Sequence, residues 1–339
     1  MTAQETWRDL HSPASARLLA GLGLLMLALV VLMFLHLGMG AKALSWSTTW
    51  QALFHYDPAN LDHAVVRDSR LPRLLVAAVV GAALAVAGVI IQSVADNPLA
   101  DPGILGINAG AAFFVVAGLL MVPGTAFMYV PWYAFLGAVV AAVIVVLLGG
   151  RGHNPVRLTL AGAAVTALFG AMTATLLLLD QQGLEKLRHW LTGAIGASDG
   201  EKLWQVWPYL VIGLVLALSL VRSLDAHRLG SRAAAGLGVN ILRLKVVGLL
   251  AVVLLSGAVV ALAGPIGFVG LVVPHAVRLM IRADYRWMMG YAVVTGAVLV
   301  VAADLLARVA VRPYEINTGI VTALIGGPVF IALVIRRVK

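Results

Sequence analysis

Apolar runs of about twenty residues, almost free of charge, follow one another along the whole chain, and this pattern decides what it can fold into. Runs of that length cross the hydrocarbon core of a bilayer as helices. Backbone polar groups inside lipid must be satisfied within the protein, which leaves helices or closed barrels. A barrel strand would alternate apolar and polar residues, and these runs do not. Of 339 residues, 61% are hydrophobic and only 12% charged, with mean hydropathy +0.98. A soluble domain carries about a quarter charged residues. The expected fold class is an all-α polytopic membrane protein, with residues 1–339 forming one transmembrane domain.

Charge, proline and glycine boundaries divide the runs into ten expected spans. They are Ala16–Leu37, Leu74–Val94, Ile104–Val122, Trp132–Leu148, Leu158–Leu179, Val206–Leu220, Val246–Leu262, Ile266–Met280, Met289–Val311 and Ile320–Ile335. The first follows a polar lead of mixed charge, is longer than a signal-peptide core and lacks a clear small-residue cleavage site, so it is read as a retained span. An even number of spans puts both termini on one side. With the termini in the cytoplasm, fifteen of the 24 Lys and Arg fall inside and nine outside. That agrees with the excess of basic residues in cytoplasmic loops and accounts for the net charge of +9 without nucleic acid as a partner. Arg70 and Arg73, in RLPRLLVAAVVGAA, then lie outside against the bias, and Pro72 is read as the break that starts the second span.

Three polar stretches stand out. Leu44–Arg70 carries Trp46, Trp50, Phe54 and Tyr56, aromatics suited to the membrane interface. Gln181–Trp204 contains LEKLRHWL, with leucines at helical spacing. Asp225–Lys245 is basic, rich in Ala and Gly, and is expected to form a pair of short surface helices.

Some chemistry is excluded. Without cysteine there are no disulfides or thiolate metal sites. No GxxxxGK[ST] loop occurs, so ATP has no P-loop here. Gly81, Ala85 and Gly88 are small residues spaced for close helix packing in lipid. Ionisable residues within spans mark ion-coupled carriers, and Asp304 is the main candidate. Arg308, four residues on, shares its helix face and is the expected partner. His36 and His275 read as packed or hydrogen-bonded residues, and the outer stretch HYDPANLDH matches no standard metal spacing. A many-span protein with neither an ATP site nor a charged relay points to energy supplied by a partner.

Several stretches in order resemble the permease subunits of ATP-binding-cassette importers for ferric siderophores, haem and cobalamin, the FecCD-type permeases. They are Arg70–Gln92, NPLADPGILGINAGA (Asn97–Ala111), RLTLAG (Arg157–Gly162), HWLTGAIGA (His189–Ala197), LGVN (Leu237–Asn240), LAGPIGFVGLVVPHAVRL (Leu262–Leu279), ADLLAR (Ala303–Arg308) and TALIGGPVF (Thr322–Phe330). The stretch before about residue 65 carries no distinctive match.

The resemblance implies the ten-helix fold of type II importer permeases in the cytoplasmic (inner) membrane. Implied partners are a second permease subunit, identical or paralogous, two ATPase subunits beneath, and a soluble or lipid-anchored binding protein that delivers ligand from outside. No enzymatic step and no cofactor belong to this chain, since ATP and Mg sit on the ATPase. Coupling helices match Ala226–Asn240, with Arg228, Gly230, Arg232, Ala233, Ala234, Ala235, Gly236, Leu237 and Gly238 offered to the ATPase. Arg70, Arg73 and Arg308 match outer arginines that receive carboxylates of the binding protein, and Arg312 is a nearby addition. A planar guanidinium suits such pairing. The implied pathway is lined by the fifth and tenth spans and the short helix Gly183–Thr192. Its inner gate falls on Asn154, Pro155 and Val156, which differ from the small hydroxyl residues of some relatives. Thr159, Thr166, Thr173 and Thr175 give the fifth span a hydroxylic character. GILGINAGA is most similar to the siderophore members. Ferric siderophore is therefore the expected cargo, with haem or cobalamin as alternatives. An ion-coupled secondary carrier using Asp304 is the alternative of a different class.

Overall fold

A computed structural model describes residues 13–40, 42–121, 129–149, 155–179, 187, 190–196, 199–281, 284–312 and 314–338. Among the described residues every regular element is helical. Helix α1 is Pro13–Gly38, α2 Trp46–Phe54 and α3 the single turn Leu61–Ala64. A π-helical turn, Val65–Arg70, leads from α3 into α4, Leu71–Val94. A 3-10 turn at Pro102–Leu105 precedes α5 (Ile107–Met121), α6 (Val130–Gly149) and α7 (Pro155–Leu179). Then come α8 (Asp199–Ser219), the short α9 (Val221–His227) and α10 (Ser231–Gly236), and α11 (Ile241–Ala263). Helices α12 (Val269–Met280), α13 (Tyr285–Val309) and α14 (Thr318–Val338) complete the chain.

Seven helices among the described residues are long and apolar enough to cross a membrane, and three shorter apolar ones, α5, α12 and the start of α14, stand where the other expected spans lie. Each of the ten expected spans thus falls on a helix. The start of the second differs. Pro72 stands in the first turn of α4, as expected, but the chain before it is helical too, so the helical path runs unbroken from Leu61 to Val94. In the first turn of an α-helix the N–H that proline lacks has no intrahelical acceptor, so Pro72 is tolerated there. The wider π turn at Val65–Arg70, just ahead of it, carries the chain through. The stretch 225–245 holds the expected short helices, but Ile241–Lys245 belongs to α11, whose first turn Asn240 caps by accepting from Arg243 N at 2.9 Å.

Helix α4 occupies the centre. From Val80 to Val94 nearly every residue is buried, as expected of a helix apolar all round. Its small residues let neighbours approach. A Cβ placed on Gly81 would overlap the Gly296 carbonyl of α13, and one on Gly296 would overlap the Gly81 carbonyl and Ala85. Gly88 meets Gly270 of α12 in the same way. These are backbone-to-backbone contacts of the kind that hold helices together where lipid supplies no hydrophobic drive. Helix α1 packs on α13 at the edge of the bundle, with Leu24, Leu27 and Val30 exposed to the surroundings.

Helices α4 and α13 run antiparallel and are joined at three levels. Arg73 and Asp304 pair at one end, the glycines meet in the middle, and Ser93 and Tyr285 share a hydrogen bond between hydroxyls at the other. Arg73 and Asp304 each lie eight residues from the glycine pair, about 12 Å along the helix. The two helices form one rod between the ends of the molecule.

Candidate functional site

At the end of the rod that carries Arg70, charged groups from α1, α4, α13 and the link before α14 converge. Asp304 is wholly buried. It accepts from Arg73 Nε at 2.9 Å and Nη2 at 3.0 Å, from the Thr318 hydroxyl at 2.7 Å, and from His36 Nε2 at 2.8 Å. This arrangement assigns the His36 proton to Nε2 and turns Nδ1 toward Arg308 Nη1 at 3.4 Å. Arg73 also donates from Nη1 to Glu315 at 2.7 Å. The expected i+4 pairing of Asp304 with Arg308 is therefore not the one formed. Arg73 approaches from α4 with its planar fork aligned for two-point binding, whereas the charged neighbour of Arg308 is Glu315, at 3.8 Å. Burial and three hydrogen-bonding partners, one of them a bidentate guanidinium, make Asp304 the hub of a structural network.

The docking arginines expected from sequence are placed unequally. Arg70 is 3% exposed and donates to the backbone carbonyls of Leu37 and Lys42, clamping the turn after α1. Its expected role in receiving a partner's carboxylate does not fit this geometry, because its Nη groups are already engaged inside the chain. Arg73 and Arg308 are 13% and 4% exposed, behind Glu315 at 39%. Arg312 is exposed and close enough to Arg70 for their charges to repel. Glu315, Thr318 and the link to His36 were not drawn from the sequence. A single carboxylate after a span has no periodicity to announce it.

The opposite end holds α9 and α10. Asp225 caps α13 by accepting from Tyr285 N at 2.8 Å, and His227 Nε2 lies 3.0 Å from Asp96 at the end of α4. Arg228 lies over the Tyr285 ring. Both helices of the rod are thus gripped by α9. Helix α10 is held by Ala234, its one buried residue, and leaves Arg232, Ala233, Ala235, Gly236, Leu237 and Gly238 exposed. Gly230 and Gly238 adopt positive φ at the two ends of this helix. A Cβ at either, or at Gly236, would meet open space.

The third feature is surface left uncovered by the chain's own helices. Helix α7 is attached through the stripe Gly162, Val165, Phe169 and Thr173, and the rest of its circumference is largely exposed, including Thr159, Thr166 and Thr175. Helix α14 exposes Ile320, Leu324 and Ile331. Neither helix carries a charge between Leu158 and Leu179 or between Thr318 and Ile335. Of the expected gate residues, Val156 is exposed and Pro155 opens α7, while Asn154 lies outside the described residues. So does most of Gly183–Thr192. Its end is described: Gly193 and Thr192 join the start of α14, through Gly319 N donating to Gly193 O at 2.7 Å and a side-chain hydrogen bond from Asn317 to Thr192.

A model of the FecCD transport family matches residues 28–336. The chain belongs to that family. It is 42% identical over 303 residues to the Bacillus subtilis protein described as "Probable siderophore transport system permease protein YfiZ", covering 88% of this chain and 91% of that one. It is 40% identical over 329 residues to the hemin transport system permease protein HmuU of Yersinia pestis, covering 93% and 95%. A solved structure described as a metal-chelate type ABC transporter in an inward-facing conformation superposes with a TM-score of 0.79 at 30% identity, over 94% of this chain and 98% of that one. The FecCD fold and its transport class therefore hold for the whole helical bundle and not for one motif.

Proposed function

We propose that this chain is the permease subunit of an ATP-driven importer that moves a ferric siderophore complex across the cytoplasmic membrane, with the Arg70 end outside and both termini in the cytoplasm. The observation that carries the proposal is family membership across 28–336, with a siderophore permease among the relatives. Geometry supports the assembly. The uncovered, uncharged faces of α7 and α14 suit a second permease copy across a central pathway. Apolar and hydroxylic side chains there give a chelate no charged ligand to rest on, which favours passage over storage. Haem is the second reading, favoured by the similarity to HmuU.

Mechanism follows from the rod. The loaded binding protein docks at the Arg70 end, with Arg312 exposed to meet it and Arg73 and Arg308 just beneath Glu315. ATPase closure acts on α10 at the other end. Because α9 grips α4 and α13, displacement there reaches the docking face and the link to α14. Alternating access results from moving α7 and α14 relative to this rod, and no bond in the cargo changes.

Two experiments test these parts. Vesicles holding the assembled complex should take up ferric siderophore, and excess hemin should not compete. Uptake of hemin with exclusion of the siderophore would replace the cargo reading with the second one. Gly236→Trp adds bulk where the chain leaves open space. It should fold normally but lower ATP-dependent uptake by about tenfold or more, as expected of bulk at the centre of a tight interface. Unchanged coupling of ATP hydrolysis to uptake would remove α10 from the ATPase contact.

A further inference from the structure

The charge cluster at the Arg70 end leaves one buried guanidinium, that of Arg308, poorly partnered. Arg73 pairs with both Asp304 and Glu315, whereas Arg308 has only Glu315, 3.8 Å away, as an ion-pair partner among the described residues. Arg308 Nε is buried and makes no hydrogen bond among the described residues. A buried charge without a full set of partners is costly. Asp304 cannot be exchanged, since it is wholly buried and held by α1, α4 and the start of α14. Glu315 can. It is the one exposed carboxylate bridging two of these arginines, 2.7 Å from Arg73 Nη1 and 3.8 Å from Arg308 Nε.

Glu315 also sits on a connection under several restraints. The residues joining α13 to α14 are tied back by Ile316 N to Ala307 O at 2.9 Å and by the Thr318 hydroxyl to Asp304. Beyond them, Asn317 bonds Thr192 and Gly319 N bonds Gly193 O. Anything that lifts Glu315 pulls on the start of α14 and, through it, on 190–196.

We infer that Glu315 is a built-in placeholder for the binding protein: an acidic side chain of the docking partner displaces it from Arg73 and Arg308, and its release loosens the link between α14 and 190–196. This rests on the reading of the Arg70 end as the docking face. Two consequences follow. Docking affinity is held down by an internal competitor, which lets an emptied binding protein leave. Docking also becomes a signal to the pathway, because the displaced residue belongs to the connection that holds α14.

The test uses the complete complex in lipid nanodiscs with its own loaded binding protein. Glu315→Gln keeps the shape and removes the charge. It should bind the binding protein about fivefold more tightly, the scale of losing a partly exposed competing ion pair. It should also raise ATP hydrolysis measured without binding protein. Glu315→Ala, which lacks the acceptor altogether, should change both in the same direction. Unchanged or weakened docking in these variants overturns the inference, since Glu315 would then merely position the arginines. Arg312→Glu separates this from the reading beneath it. If Arg312→Glu weakens docking while the Glu315 variants do not strengthen it, the face docks and the placeholder is wrong. If none of the three alters docking, the partner binds elsewhere and both fall.

Discussion

Asp304→Ala is expected to leave the protein largely unfolded. The substitution removes the acceptor of Arg73, His36 and Thr318 together and leaves the largely buried Arg73 with Glu315 as its one remaining carboxylate among the described residues. Breaking a buried pair by deleting one partner costs about 3–5 kcal/mol, a large part of a typical protein's margin. Thermal unfolding of the purified chain should show the loss, and folded yield should fall with it. Asp304→Asn keeps an acceptor for Thr318 and part of the Arg73 fork, and Arg73 retains Glu315. It should fall between wild type and alanine. The same variant separates transport classes. In a structural hub, uptake declines in proportion to folded protein. In a proton-coupled carrier, Asp304→Asn would fold at near wild-type yield and still abolish uptake.

Gly81→Leu should be as damaging for a different reason. A side chain at Gly81 is directed at the Gly296 backbone, and backbone cannot move aside as a flexible side chain can. Overpacking usually costs about 1–3 kcal/mol and occasionally more. Here relief requires separating α4 from α13, which also pulls apart Arg73 and Asp304 eight residues away. The expected result is loss of monodisperse protein after purification, with Gly81→Ala intermediate. Gly290→Ala supplies the control. It lies on the same α13, where a Cβ would meet nothing within 4 Å, and should be tolerated. Equal damage from both would show that helix flexibility matters here and close approach does not.

These two cases show what the sequence could and could not convey. The spans were legible because absence of charge over a fixed length has one physical meaning in lipid. Gly81 and Gly88 were legible as packing residues, since small side chains at that spacing on an apolar helix have few other uses. Asp304 was recognised as an intramembrane carboxylate, but its partner was sought on its own helix. The actual partner, Arg73, is 231 residues distant, and no local rule reaches that far. Arg70 stood out in the sequence as a charge at the mouth of an apolar run. What it does, clamping the carbonyls of Leu37 and Lys42, depends on a turn whose shape no motif declares. Pro72 was legible as standing in the first turn of α4, but not the helical turn ahead of it. Glu315 carries no pattern at all and emerges only from the placement of two arginines beneath it.

ATP-driven alternating access, as proposed for this FecCD-family chain, needs no ion gradient. Proteoliposomes with the assembled permease, its ATPase and its binding protein test it directly. Accumulation of radiolabelled ferric siderophore should require ATP on the ATPase side and loaded binding protein on the other, and should persist when an ionophore collapses the proton gradient. Uptake that is driven by an imposed proton gradient without ATP, and lost with the ionophore, would instead make the protein an ion-coupled carrier.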